Sequence, residues 1–123
     1  MKLLLLFCCG LVGLSLADDL YTDRYDNLNI DEILENRRLL IPYVKCMLDQ
    51  GRCTPEGKYL KTNVKDAMIS SCLKCTDWQR KNARKVVNHL KEKEAEYWEQ
   101  MKAKYDPGDV HKASYEAFLS RSD

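Results

Sequence analysis

The residues whose types could do chemistry here are a few cysteines, two histidines and a run of carboxylates. Cys46, Cys53, Cys72 and Cys75 leave six, eighteen and two residues between successive members. The Cys72-x-x-Cys75 spacing is that of a redox dithiol, but that chemistry needs a preceding strand and a βαβ frame, and the sequence pattern supplies neither. A four-cysteine zinc site is a second reading, and a single Cys-x-x-Cys beside a six-residue spacing matches paired metal knuckles poorly. Disulfides are the third, favoured in an oxidising compartment, with three pairings open. Hydrolytic constellations do not assemble: His89 falls on a charged helix, His111 near a helix start, and no nucleophile elbow or His-Glu-x-x-His pattern occurs. Glu92, Glu94 and Glu96 sit among lysines in a segment that reads as solvated, with nothing to raise a carboxyl pKa for acid–base work. No Gly-rich phosphate loop or EF-hand loop is present. The expectation is a protein without catalytic residues, metal or cofactor.

The compartment follows from the N-terminus. Met1-Lys2, the apolar run Leu3 to Leu16 with Cys8 and Cys9, and Ser15-Leu16-Ala17 before Asp18-Asp19 read as a secretory signal peptide over residues 1–17, cleaved after Ala17. The run is shorter than the roughly 20 residues a spanning helix needs, and no later stretch is apolar enough to serve. The expected mature chain is residues 18–123, a single extracellular domain. With 20 Lys and Arg against 19 Asp and Glu, and Lys2 leaving with the leader, its charges balance and offer no field for a phosphate backbone. Nucleic acid is therefore excluded as a first reading. None of the asparagines opens an Asn-x-Ser/Thr sequon.

Helical periodicity dominates, and no strand-like alternation is long enough for a sheet, so the class is all-α. Asn29 with Glu32 opens a short helix carrying Ile30, Ile33 and Leu34. Leu40, Tyr43, Val44 and Met47 follow at i, i+3, i+4 and i+7, with the regular part placed near Leu39 because Pro42 belongs in a first turn. Thr54-Pro55 restarts the chain into a helix whose face is Leu60, Val64, Ala67 and Met68. Thr76 and Gln79 form a capping box that puts Cys72-x-x-Cys75 in the preceding turn. Beyond it, Ala83, Val86, Val87 and Leu90 make a stripe, while Arg80, Lys81, Arg84 and Lys85 read as a solvated face. A break is expected between Lys91 and Glu96 although no Gly or Pro marks it. Tyr97, Trp98, Met101 and Tyr105 form an aromatic face ended by Asp106-Pro107-Gly108-Asp109, and a last helix carries Val110, His111, Tyr115, Phe118 and Leu119. The result is one compact bundle of about six short helices. Its large apolar side chains are of the kind that line small-molecule sites, although periodicity alone reads them as core filling.

The chain resembles the insect chemosensory proteins, also called the OS-D-like or pherokine family, over essentially its whole mature length. The resemblance rests on Tyr21-Thr-Asp-Arg-Tyr-Asp-Asn27, Asn29-Ile-Asp-Glu-Ile-Leu34, the framework Cys46-x6-Cys53-x18-Cys72-x2-Cys75, Cys53-Thr-Pro-Glu-Gly-Lys58, Ala83-Arg-Lys-Val-Val87, and Trp98 followed by Lys104-Tyr-Asp-Pro107. It implies six helices around a hydrophobic tunnel, two local disulfides, Cys46–Cys53 and Cys72–Cys75, and carriage of long-chain alcohols, acids, esters, aldehydes, odorants or pheromones. Tyr43 at the tunnel mouth, Trp98 inside and Tyr115 on the last helix are the implied aromatic contacts, with Ile30, Ile33, Leu60, Val64, Met68 and Val87 as walls. The implied partner is a small hydrophobic ligand bound by a monomer in sensillum lymph or haemolymph. The competing expectation is a secreted protein acting through a protein partner in development, regeneration or defence. Pro42, Trp78 and Lys91 depart from the family's pattern.

Overall fold

The computed structural model describes residues 20–123; the expected signal peptide and its cleavage point lie outside them. Six helices follow one another: α1 (Ile30–Glu35), α2 (Arg37–Met47), α3 (Pro55–Ser70), α4 (Asp77–Lys93), α5 (Ala95–Tyr105) and α6 (Lys112–Ser120). The all-α bundle is thus observed. Helix α1 packs on α2 and α4, α2 on α3, α4 on α5 and α6, and α3 on α6.

Local chemistry sets most boundaries. Asn29 accepts from the Glu32 amide at 3.1 Å and opens α1. Asn36 closes α1 through its own amide to the Ile33 carbonyl at 3.3 Å and opens α2 through its side chain, which accepts from the Arg38 amide at 3.0 Å. Helix α2 therefore begins at Arg37, ahead of the expected start, and Pro42 lies in its interior on an exposed face. The proline removes one donor there without ending the helix, since the lost bond faces solvent. Thr54 caps the Gly57 amide at 3.2 Å with Pro55 behind it, and Thr76 and Gln79 exchange both bonds of a capping box at 3.1 Å each.

The α4–α5 break falls at Glu94, inside the expected window, and has a tertiary cause. The Glu94 carboxylate is almost wholly buried and accepts from Arg37 of α2 at 2.5 Å (Nε to Oε2) and 2.9 Å (Nη2 to Oε1). Arg37 holds the Glu94 carboxyl below the usual carboxylate range, chiefly through these hydrogen bonds.

The main core draws Leu34 from α1, Leu40, Val44 and Met47 from α2, Leu90 from α4, Trp98, Met101 and Tyr105 from α5, and Tyr115 from α6. A smaller cluster gathers Cys72, Cys75 and Phe118 with Tyr21, Ala67, Ala83 and Leu119. Both disulfides join sequence neighbours, Cys46–Cys53 and Cys72–Cys75, with Cα–Cα distances of 5.0 and 5.1 Å. On the chain-entropy account, rings this short contribute about 2.5 and about 1.9 kcal/mol and fix turns without tying distant helices. Those ties come from side chains. The Tyr105 hydroxyl donates to the Met47 carbonyl at 2.6 Å, and the Ser71 hydroxyl meets the Ser114 carbonyl at 3.0 Å.

Arg84 corrects the expected solvated face. It is 8% exposed, donates to the Phe118 carbonyl at 2.9 Å and stacks over the Phe118 ring at 4.5 Å. The last helix also starts later than expected: Val110 and His111 precede it, and Val110 is 73% exposed.

Replacing Tyr105 with Phe should cost about 1 kcal/mol in denaturant unfolding, because Lys104 still donates to the Met47 carbonyl at 2.9 Å; an unchanged midpoint would remove this tie from the account. Glu94→Gln should lower the thermal midpoint at neutral pH. A carboxyl whose folded pKa is depressed stabilises above its unfolded value and loses that contribution as pH falls through the folded one. The gap between wild type and Glu94→Gln should therefore close on acidification; circular dichroism melts across that range check it, and a pH-independent gap would contradict the assignment.

Candidate functional site

Trp98 on α5 and Tyr115 on α6 meet edge to face at the centre of the main core, with ring centroids 6.1 Å apart and planes at 89°. Trp98 is 7% and Tyr115 4% exposed. Each helix presents its ring inward because its neighbours at helical spacing, Met101 and Tyr105 on α5 and Phe118 on α6, are buried on the same face. Lys102, one turn beyond Trp98, lies over the indole at 5.8 Å and pairs with Glu99 at 3.0 Å.

The Tyr115 hydroxyl is buried and has no hydrogen-bond partner among the described residues. Burial is the first cause of its raised pKa, with Lys102 opposing and Asp109, Asp106 and Glu116 adding to it, so the phenol is held neutral. Buried polar groups almost always find partners, and an orphaned hydroxyl carries a desolvation cost that a polar guest atom would remove. Ile30, Ile33, Val64, Met68 and Val87, all read from the sequence as walls, pack partly buried against the same core.

Two of the sequence-derived contacts sit elsewhere. Tyr43 lies at the α2–α3 junction, half-buried, where its hydroxyl donates to Glu56 Oε1 at 3.0 Å; burial and then that carboxylate raise its pKa. Its ring edge lies beside Gly57, where an added Cβ would stand 3.3 Å from the Cys46 sulfur, so a larger residue there would make the neighbours give by a few tenths of an ångström. Leu60 is 49% exposed on α3 and outside the packed core. Lys91 points outward and reaches both Glu116 oxygens at 3.3 Å, so it bridges α4 and α6 on the surface. Two open surface recesses, about 380 Å³ between α1 and α4 and about 520 Å³ beside the α4–α5 break, include none of the expected contacts. Among the described residues no group of three or more His, Cys, Asp or Glu could hold a metal ion.

The motif at Tyr21 to Asn27 forms a strap across α3 and the start of α4. Tyr21 donates to Asp66 at 2.5 Å, its amide bonds the Lys74 carbonyl at 2.8 Å, and Tyr59 packs against both Tyr21 and Tyr25 at 6.5 and 5.5 Å. Asp26 accepts from Thr76 at 2.7 Å and from Gln79 at 3.0 Å, and so extends the capping box of α4 into a tertiary contact. Periodicity could not reveal this strap, because it lies outside any helix.

Comparison with known proteins agrees with this architecture. The profile of the insect pheromone-binding family, A10/OS-D, matches residues 21–113. Ejaculatory bulb-specific protein 3 of Drosophila melanogaster is 46% identical over 123 residues, covering 99% of this chain and 97% of the relative. Allergen Tha p 1 of Thaumetopoea pityocampa is 41% identical over 116 residues, covering 94% and 92%. A solved chemosensory protein in complex with bromo-dodecanol superposes with a TM-score of 0.73 at 49% identity, covering 79% of this chain and 97% of that one. The antennal chemosensory protein A6 from the moth Mamestra brassicae gives a TM-score of 0.65 at 48% identity, covering 80% and 92%. The family model covers most of the described chain and the relatives match nearly its whole length at more than 40% identity, so the chain belongs to the insect pheromone-binding A10/OS-D family.

Proposed function

We propose that this protein is a secreted carrier of small hydrophobic molecules with a polar head, released by cleavage after Ala17 and binding its ligand between α5 and α6. The observation that carries the reading is the Tyr115 hydroxyl, buried, with its ring against Trp98, and without a hydrogen-bond partner among the described residues. A hydroxyl, ester or aldehyde oxygen placed there would receive or give one hydrogen bond while the ligand's chain takes the place of side-chain contacts among Val64, Met68 and Val87. Those walls are partly buried rather than sealed, and the nearby disulfides are local, so the helices can shift around a guest with little covalent restraint. The bromo-dodecanol held by the structurally similar chemosensory protein has this chemistry, a long chain with a hydroxyl head. Long-chain alcohols, esters and aldehydes of sensillum lymph or haemolymph are the ligand class.

Native mass spectrometry of the protein secreted from insect cells tests the reading. The expected chain starts at Asp18, has lost four hydrogens to two disulfides, and forms saturable one-to-one adducts with long-chain alcohols. Tyr115→Phe should leave folding stability within about 0.5 kcal/mol of wild type, since no protein partner is lost, and should weaken alcohol binding about fivefold, the value of one hydrogen bond. Affinity for a hydrocarbon of equal length should not change. Equal loss for alcohol and hydrocarbon would show that the hydroxyl does not meet the head group, and absence of adducts from a correctly folded chain would overturn the carrier reading.

A further inference from the structure

Three arginines converge where the chain leaves α6. Arg84 donates from Nη2 to Asp123 Oδ1 at 2.5 Å and from Nη1 to the Asp123 backbone oxygen. Arg121 donates from Nε to Asp123 Oδ1 at 3.0 Å and from Nη2 to Oδ2 at 3.3 Å. Arg80 stands on the turn of α4 before Arg84, held by the Cys75 carbonyl at 3.0 Å and by Asp77. Its Nε is buried, lies 3.9 Å from Asp123 Oδ2 and makes no hydrogen bond among the described residues.

A planar carboxylate has two oxygens, and here both already serve Arg84 and Arg121. In this structure Oδ2 stays 3.9 Å from the Arg80 Nε, beyond hydrogen-bond distance. A tetrahedral oxyanion offers a third acceptor oxygen and a second negative charge, which suits the Arg80 Nε that Asp123 leaves unmet beside the terminal donors of Arg84 and Arg121. Asp123 is also the most exposed member of the group, its side chain 57% accessible against 9% for Arg84 and 22% for Arg80. Two of the three cations, Arg80 and Arg84, are therefore built into the fold, while Arg121, 43% exposed, and Asp123 stand at the solvent side, where ion pairs exchange readily with solvent ions.

We propose that Arg80, Arg84 and Arg121 form a receptor for a phosphate or sulfate group, which Asp123 occupies and masks. Arg84 also holds the Phe118 carbonyl, so the receptor shares a residue with the docking of α6, the helix that carries Tyr115. The site is separate from the apolar interior and stands whether or not that interior carries a ligand.

Titration of the ¹⁵N-labelled protein with inorganic phosphate at constant ionic strength, followed on the arginine Nε–H resonances, tests it. Saturable shifts are expected at Arg80 and Arg121, with Asp123→Asn binding about tenfold more tightly than wild type because the competing carboxylate is gone. Arg80→Gln in the Asp123→Asn background should weaken binding about fivefold, and its amide spectrum reports whether it remains folded. No saturable shift in either protein, equal affinity of wild type and Asp123→Asn, or indifference to Arg80→Gln would each overturn the proposal. Sedimentation with phosphatidylcholine vesicles, with and without phosphatidic acid, then separates the sources. Capture by phosphatidic acid that depends on Arg80 identifies a lipid head group, and phosphate binding without capture identifies a soluble ester.

Discussion

A guanidinium taken out of water is tolerated only when its donors are met, and Arg84 meets that condition only while α6 is docked. Its Nε bonds the Phe118 carbonyl, its plane covers the Phe118 ring, and its remaining donors reach Asp123 beyond the helix. Undocking α6 would leave this buried cation without partners, a cost that breaking any one apolar contact does not match. The position of Tyr115, three residues before Phe118, is therefore set as much by a charge on α4 as by the packing of its own ring. The apolar interior inherits its geometry from this polar contact at the other end of the same helix.

The disulfides cannot do that work. Each joins cysteines within a single turn or loop, so neither restricts how α4, α5 and α6 sit relative to one another. What fixes the bundle between its elements is a small set of side chains donating to backbone carbonyls or to carboxylates of another element: Tyr105 to Met47, Ser71 to Ser114, Arg37 to Glu94 and Thr76 to Asp26. These contacts lie at helix ends and on the strap, and they surround a buried core against which partly buried aliphatic residues pack.

The features legible in the sequence are those with local causes. Thr54-Pro55, the Thr76 and Gln79 capping box and the aromatic face of α5 follow from neighbours within four residues, and the structure has them where the spacing put them. Arg84 was illegible because a cation in a run of cations reads as solvated; its burial depends on Phe118, thirty-four positions away. The break at Glu94 could be bracketed but not placed, since its cause is Arg37 on another helix. Pro42 misled for the opposite reason, as a local rule was overruled by the Asn36 cap and by packing that holds α2 together past the missing donor. Leu60 fitted the α3 stripe by period yet lies half in solvent, because α3 packs through its first turn and through Val64 and Met68 rather than along its full length. Of the candidate site, Trp98 and Tyr115 could be named from the chain, but their edge-to-face contact and the unpaired hydroxyl required the fold.

The two phenols that the family resemblance implied as contacts differ in what each could offer a guest. Tyr43 has already committed its proton to Glu56 and stands half in solvent, so a guest would have to compete with a carboxylate for it. Tyr115 is buried and its hydroxyl has no partner among the described residues. A single neutral phenol can satisfy the oxygen of an alcohol, ester or aldehyde, but it cannot offset the cost of burying an ionised head group. The nearest cation on α5, Lys102, is engaged by Glu99, and that pairing is the first cause of its raised pKa. On the carrier reading proposed above, an interior of this kind would favour neutral heads over carboxylates, through the hydrogen bond that Tyr115 leaves unmade among the described residues.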